Sequence, residues 1–151
     1  MPTITVPEGT SYVAASLLSS VFLLTWQGIK VSGARKEANI AYPRLYAEKA
    51  EMEASPAALK FNCVQRAHAN TLENIASIYA MTFLTALTSP PVAAGALASW
   101  VASRVFYTNG YATGDAASRH NTLVRLTYIP AMLTLLGGSI YSVYGLLSAG
   151  I

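Results

Sequence analysis

The chain has 151 residues, of which 53% are hydrophobic and 11% are charged, against about 25% charged in a soluble domain. A soluble core of this size cannot hide that much apolar surface from water. Disorder, a coiled coil and an arginine-striped nucleic-acid binder are therefore excluded, and a membrane protein is indicated. The formal net charge is only +3, so where the charges sit says more than their sum. A single cysteine, Cys63, rules out an intramolecular disulfide framework. With only His68 and His120 beside it, a structural zinc site is not expected.

In chain order, the first element is a run of nineteen uncharged residues, 11–29, about 29 Å of helix and close to the hydrocarbon thickness. A cleaved signal peptide fits it poorly, because residues 1–10 carry no Lys or Arg and the run is too long. A polar stretch at 32–60 follows, broken at Tyr42-Pro43 and Ser55-Pro56, which argues against one continuous helix there. Residues 75–88 and 92–103 are uncharged but short, and Ser89-Pro90-Pro91 makes a turn between them. They form a helical hairpin across the membrane only if the arms extend back to about Phe61 and forward to about Tyr111. Residues 126–151 give a last uncharged run. The expectation is a single all-α domain over 1–151, a bundle with four spans at about 11–31, 61–88, 92–112 and 124–148. No internal repeat or second domain is visible.

Charge placement supports this topology. Lys30, Arg35, Lys36, Arg44, Lys49 and Lys60 lie in or beside the first loop, and Arg119 and Arg125 in or beside the third, 113–123. The first ten residues, the Pro-Pro turn and the C-terminal tail carry no Lys or Arg. The positive-inside rule then puts both of these loops in the cytosol and both termini on the other side.

Extending the hairpin carries polar groups into the bilayer, where a charged side chain at mid-depth costs about 2.5–3.5 kcal/mol on insertion scales. Arg66, Asn70 and Glu73 stand at i, i+4 and i+7, on one helix face, and Arg104, Tyr107 and Tyr111 at i, i+3 and i+7 on another. Counting from the Pro-Pro turn puts Glu73 level with Arg104, Asn70 near Tyr107 and Arg66 near Tyr111. Pure structural glue would be the plain explanation, but interhelical polar contacts return only about 0.6 kcal/mol each in membranes. A site for a polar or anionic ligand explains the ladder better. His68 is two residues from Arg66 and points to another face. Tyr141 and Tyr144 read as an interfacial aromatic belt, and Gly137-Gly138 as a place of close helix packing.

The run Phe61-Asn-Cys-Val-Gln-Arg-Ala-His-Ala-Asn-Thr-Leu-Glu73 resembles the signature of the membrane-associated eicosanoid and glutathione metabolism proteins, most like the microsomal glutathione transferase type 3 branch. Ala34-Arg35-Lys36 with Tyr42-Pro43, Arg104-Val-Phe-Tyr107 and Gly110-Tyr111-Ala-Thr-Gly114 extend the resemblance over roughly 11–147 in order. It implies a homotrimer in the endoplasmic reticulum or mitochondrial outer membrane, with glutathione bound at subunit interfaces near the cytosol. Arg66, Asn70 and Glu73 match residues that hold glutathione from one subunit, and Arg35, Arg104, Tyr107 and Tyr111 match contacts from the neighbour. Arg119 matches the arginine that stabilises the glutathione thiolate. Lys36 falls where relatives have a second arginine beside the lipophilic substrate. His68 is usual for the type 3 branch at the glutathione site, whereas Asn74 departs from the tyrosine of the leukotriene-forming relative.

The resemblance thus implies a glutathione transferase and peroxidase acting on lipophilic electrophiles or lipid hydroperoxides delivered from the membrane lipid, with glutathione as cosubstrate and neither metal nor nucleic acid as partner. Leukotriene C4 synthase-like conjugation is one alternative. A non-enzymatic, arachidonate-presenting scaffold is another, and it would lack the cation set that this chain keeps. A small transporter or proton path is a third, favoured only by an intramembrane Glu73.

Overall fold

The computed structural model describes residues 7–151. The first six residues of the expected non-cytosolic N-terminus lie outside the described residues. Among the described residues the chain is all helical, with no strand. Four long helices are α1 (Thr10–Glu37), α3 (Pro56–Ala86), α4 (Pro90–Tyr111) and α5 (Thr122–Ala149), and a short α2 (Lys49–Ala54) and a 3-10 helix η1 (Ala116–His120) lie between them.

Local chemistry sets the ends. Pro56 and the Pro90-Pro91 pair sit in the first turns of α3 and α4, where a missing N–H costs nothing. Ser55 Oγ accepts from the Ala58 amide and Asn121 Oδ1 from the Val124 amide, capping α3 and α5. Gly150, at φ 72°, ends α5 in the left-handed conformation that favours glycine. The helices run beyond the expected spans: α1 continues through Arg35 and Lys36 to Glu37, and α3 begins at Pro56. Burial explains both changes, because Val31, Ala34, Phe61 and Val64 form one apolar cluster that holds the two helices together at this end. The expected loop 113–123 likewise contains η1, which Asp115 caps by accepting from the Ala117 amide at 2.9 Å.

The core runs between all four long helices: Leu23 of α1, Ile78 of α3, Leu97 and Trp100 of α4, and Ala131 and Leu135 of α5. Beside it, the interior is rich in small polar groups. Ser16, Ser20, Thr71, Thr82, Thr85, Ser103, Thr108, Ser139 and Ser142 are all buried. Many bond across helices, such as Ser142 Oγ with Thr88 Oγ1 at 2.8 Å and Ser139 Oγ to the Met81 carbonyl at 3.0 Å. Large apolar side chains instead face outward: Phe22 and Ile29 on α1, Phe83 on α3, and Leu126, Leu133 and Ile140 on α5 are exposed. A soluble bundle has the opposite arrangement, whereas a bundle solvated by lipid needs its polar groups paired inside. Two helices, α1 and α5, are long and apolar enough to cross a membrane. Gly138 sits where a Cβ would lie 2.5 Å from Thr85 Cγ2, so α5 and α3 touch there, while Gly137 faces open space. Close packing therefore belongs to the second glycine of the pair. Tyr141 and Tyr144 are exposed at the same end of α5.

Candidate functional site

Helices α3, α4 and α5 and the 3-10 helix enclose a cleft of about 530 Å³, within the range of small-molecule sites. Arg66 and Asn70 reach it from α3, Arg104, Tyr107 and Tyr111 from α4, Arg119 and His120 from η1, and Val124, Arg125, Tyr128 and Ile129 from α5. Asn74 also lines it. Four guanidiniums and no carboxylate line this space.

Arg104 forms the floor. It is buried, and its Nη1 donates to Asn70 Oδ1 at 2.8 Å. Its guanidinium lies over the Tyr107 ring at 4.2 Å and near Tyr128 at 5.5 Å, while its Nε has no partner. No carboxylate pairs with it among the described residues. A buried cation without a counter-ion is expensive, and an anionic ligand would supply what the chain does not. Arg66, in contrast, is paired: it donates twice to Glu73, at 2.6 and 3.2 Å. Glu73 itself is half exposed and stands outside the cleft lining.

The depth count puts Glu73 level with Arg104 and leaves their pairing open; the Arg104 guanidinium takes Asn70. Three residues of helix amount to roughly 4.5 Å of rise, within reach of an arginine, so azimuth decides between them. Asn70 faces α4, whereas Glu73 turns outward to Arg66. Tyr107 and Tyr111 do stand together, as a T-shaped pair with ring centroids 5.7 Å apart.

Arg119 is placed by η1. Its Nη1 donates to the Ala116 carbonyl and its guanidinium lies 5.3 Å from the Tyr111 ring centroid. Gly110 of α4 lets η1 approach, since a Cβ there would be 2.2 Å from the Ser118 carbonyl oxygen. Burial, together with the nearby positive charges of Arg119, Arg125 and Arg104, pushes the His120 imidazole below its ordinary value. It is therefore neutral at pH 7. Asp115 is held below the usual carboxylate range, first by the Ser118 hydroxyl and then by the Ala117 amide.

Three of the expected residues stand elsewhere. Arg35 is buried in the last turn of α1, with Nη1 donating to the Arg44 carbonyl at 2.6 Å and its guanidinium over Tyr42 at 4.3 Å and Phe61 at 4.6 Å. Arg35 and the exposed Lys36 line a separate groove of about 420 Å³ with Tyr42. His68 is half-buried on α3 and lines neither space. Within one chain, Arg104, Tyr107 and Tyr111 share a single cleft with Arg66 and Asn70.

One contributor was missed. Gln27 of α1 is fully buried and its Nε2 donates to Thr71 Oγ1 at 3.0 Å and Thr108 Oγ1 at 2.8 Å. Thr71 follows Asn70, and Thr108 follows Tyr107 and donates to the Arg104 carbonyl at 2.7 Å. One amide thus ties α1 to both helices just behind the cleft floor. A lone glutamine inside the uncharged run 11–29 was the available signal. Among the described residues no group of three His, Cys, Asp or Glu side chains could hold a metal ion. The model of the MAPEG family matches residues 13–141, which include every residue that lines the cleft.

Proposed function

The chain belongs to the MAPEG family, and we propose that it is a membrane-bound glutathione transferase and peroxidase of the type 3 kind. The observation that carries the reading is the cleft itself, four arginines with no carboxylate in the lining and one of them, Arg104, buried without a counter-ion. Glutathione has two carboxylates and one ammonium. Arginine forks match carboxylates in two-point geometry, so Arg66 and Arg104 take the carboxylates, with Asn70, Tyr107 and Tyr111 as hydrogen-bonding neighbours. Binding draws Arg66 from Glu73, whose freed carboxylate accepts from the ammonium.

Arg119, which matches the thiolate-stabilising arginine of the family it resembles, is assigned to the sulfur. A free thiol has a pKa near 8.5, so only a few per cent is thiolate at neutral pH. Lowering that value by two units takes roughly 2.7 kcal/mol of preferential anion stabilisation, within what a guanidinium supplies in a partly desolvated site. The thiolate then forms a C–S bond with an electrophile as the leaving group departs. With a hydroperoxide, sulfur takes the terminal oxygen, the O–O bond breaks and the alcohol leaves. A second glutathione then reduces the sulfenic acid, giving the disulfide and water.

In this reading all four long helices span the bilayer, with the cleft at the cytosolic side, in the endoplasmic reticulum or mitochondrial outer membrane. Three chains assemble, which gives Arg35, Lys36 and His68 a route to a neighbour's cleft that they lack in their own. Replacing Arg119 with alanine tests the chemistry. Thiolate absorbance and turnover should both fall while glutathione still binds and the oligomer survives; undiminished turnover in that variant would remove Arg119 from the mechanism.

A further inference from the structure

Three anionic groups, two carboxylates and a thiolate, account for three of the four arginines in the cleft. Arg125 is the fourth, and it makes no ion pair among the described residues. Its position is also costly. Arg125 lies in the first turn of α5, where the helix dipole disfavours a cation, and it adds to the positive charge that depresses His120. Its side chain is exposed. Immediately beyond Arg125, away from the helix start, the cleft wall becomes largely apolar, with Tyr128 at i+3 and Ile129 at i+4 beside Val124. A cation followed along one helix by an apolar strip matches an amphiphile with an anionic head and a hydrocarbon chain.

We propose that Arg125 is a specificity-determining residue that binds the anionic head of the second substrate. It thereby selects carboxylate-headed lipids over neutral ones of the same chain. The head sits at the mouth of the cleft and the chain runs along α5, which leaves the reactive carbon or oxygen to approach the thiolate near Arg119. This deepens the reading of the cleft as a glutathione-dependent lipid site and rests on it.

The test compares a long-chain fatty-acid hydroperoxide with its methyl ester, which differ only in head charge, using wild-type protein and Arg125→Gln in lipid nanodiscs. Wild type should favour the acid by roughly tenfold in kcat/KM. The variant should lose most of that preference, through a rise in KM for the acid well above any change in KM for the ester, while glutathione still binds and forms its thiolate. An unaltered acid-to-ester ratio in Arg125→Gln would overturn the proposal. So would a weaker glutathione affinity in the variant, which would place Arg125 on glutathione instead. Absence of turnover with either lipid in wild type would instead count against the glutathione reading itself.

Discussion

Gly110 gives the sharpest single-residue test of how the fold places Arg119. In Gly110→Ala the new methyl would lie 2.2 Å from the Ser118 carbonyl oxygen and 2.9 Å from its carbon. Carbon–oxygen contacts settle at about 3.3 Å, so η1 must retreat by about 1 Å, and backbone cannot rotate away as a side chain could. Arg119 is the next residue and moves with it. Alanine is the better helix former by about 0.8–1.0 kcal/mol, so α4 itself is not weakened. The loss should therefore fall on positioning rather than folding. A 1 Å misplacement of a positioned group costs on the order of 10²-fold in rate. Turnover with a generic aromatic electrophile should drop 10- to 100-fold, and the ultraviolet signal of the thiolate should shrink with it. Glutathione affinity should change little, because Arg66, Asn70 and Arg104 sit on α3 and α4. Wild-type turnover in a folded Gly110→Ala protein would refute the link between η1 packing and thiolate stabilisation.

Other expectations follow from the same geometry. Gly138→Ala drives a methyl into Thr85, 2.5 Å from Cγ2, and overpacking of this kind costs typically 1–3 kcal/mol. Its Tm in detergent should fall, whereas Gly137→Ala, which meets nothing and gains helix propensity, should be at least as stable as wild type. Gln27→Leu removes two interhelical hydrogen bonds, worth about 0.6 kcal/mol each in a membrane, but also removes an unpartnered buried oxygen. Its Tm should stay near wild type while KM for glutathione rises, and an unchanged KM would deny Gln27 a role in aligning Asn70 with Arg104. Asp115 is held below the usual carboxylate range in the fold, so its contribution to η1 is complete above about pH 4 and is lost as pH falls through the lowered value. Amide exchange over residues 116–120, corrected for intrinsic rates, should accelerate in that acid window. In Asp115→Ala it should already be fast at neutral pH.

The long helices were legible because their signals are local. Charge-free runs marked α1 and α5, and Pro-Pro marked the start of α4. The i, i+4, i+7 spacing put Arg66, Asn70 and Glu73 on α3; Arg66 and Asn70 share the cleft with α4, whereas Glu73 turns outward to Arg66. What the sequence hid depends on azimuth and on contacts between distant segments. Depth alone put Glu73 level with Arg104 and could not show that the Arg104 guanidinium binds Asn70. The extension of α1 to Glu37 comes from burial against Phe61 and Val64, more than twenty residues away in sequence. The 3-10 helix is too short to show a period, and only its Asp115 cap could have hinted at it. Arg125 drew notice only as a topological charge, because its place in the cleft depends on how α5 packs on α4.

Glutathione titration of the purified protein in lipid nanodiscs, read by the ultraviolet absorbance of the thiolate, addresses the central claim most directly. The account predicts saturable binding below millimolar glutathione with thiolate formed at neutral pH, retained in Arg125→Gln and lost in Arg119→Ala. Properly assembled protein that shows neither binding nor thiolate at millimolar glutathione would contradict it.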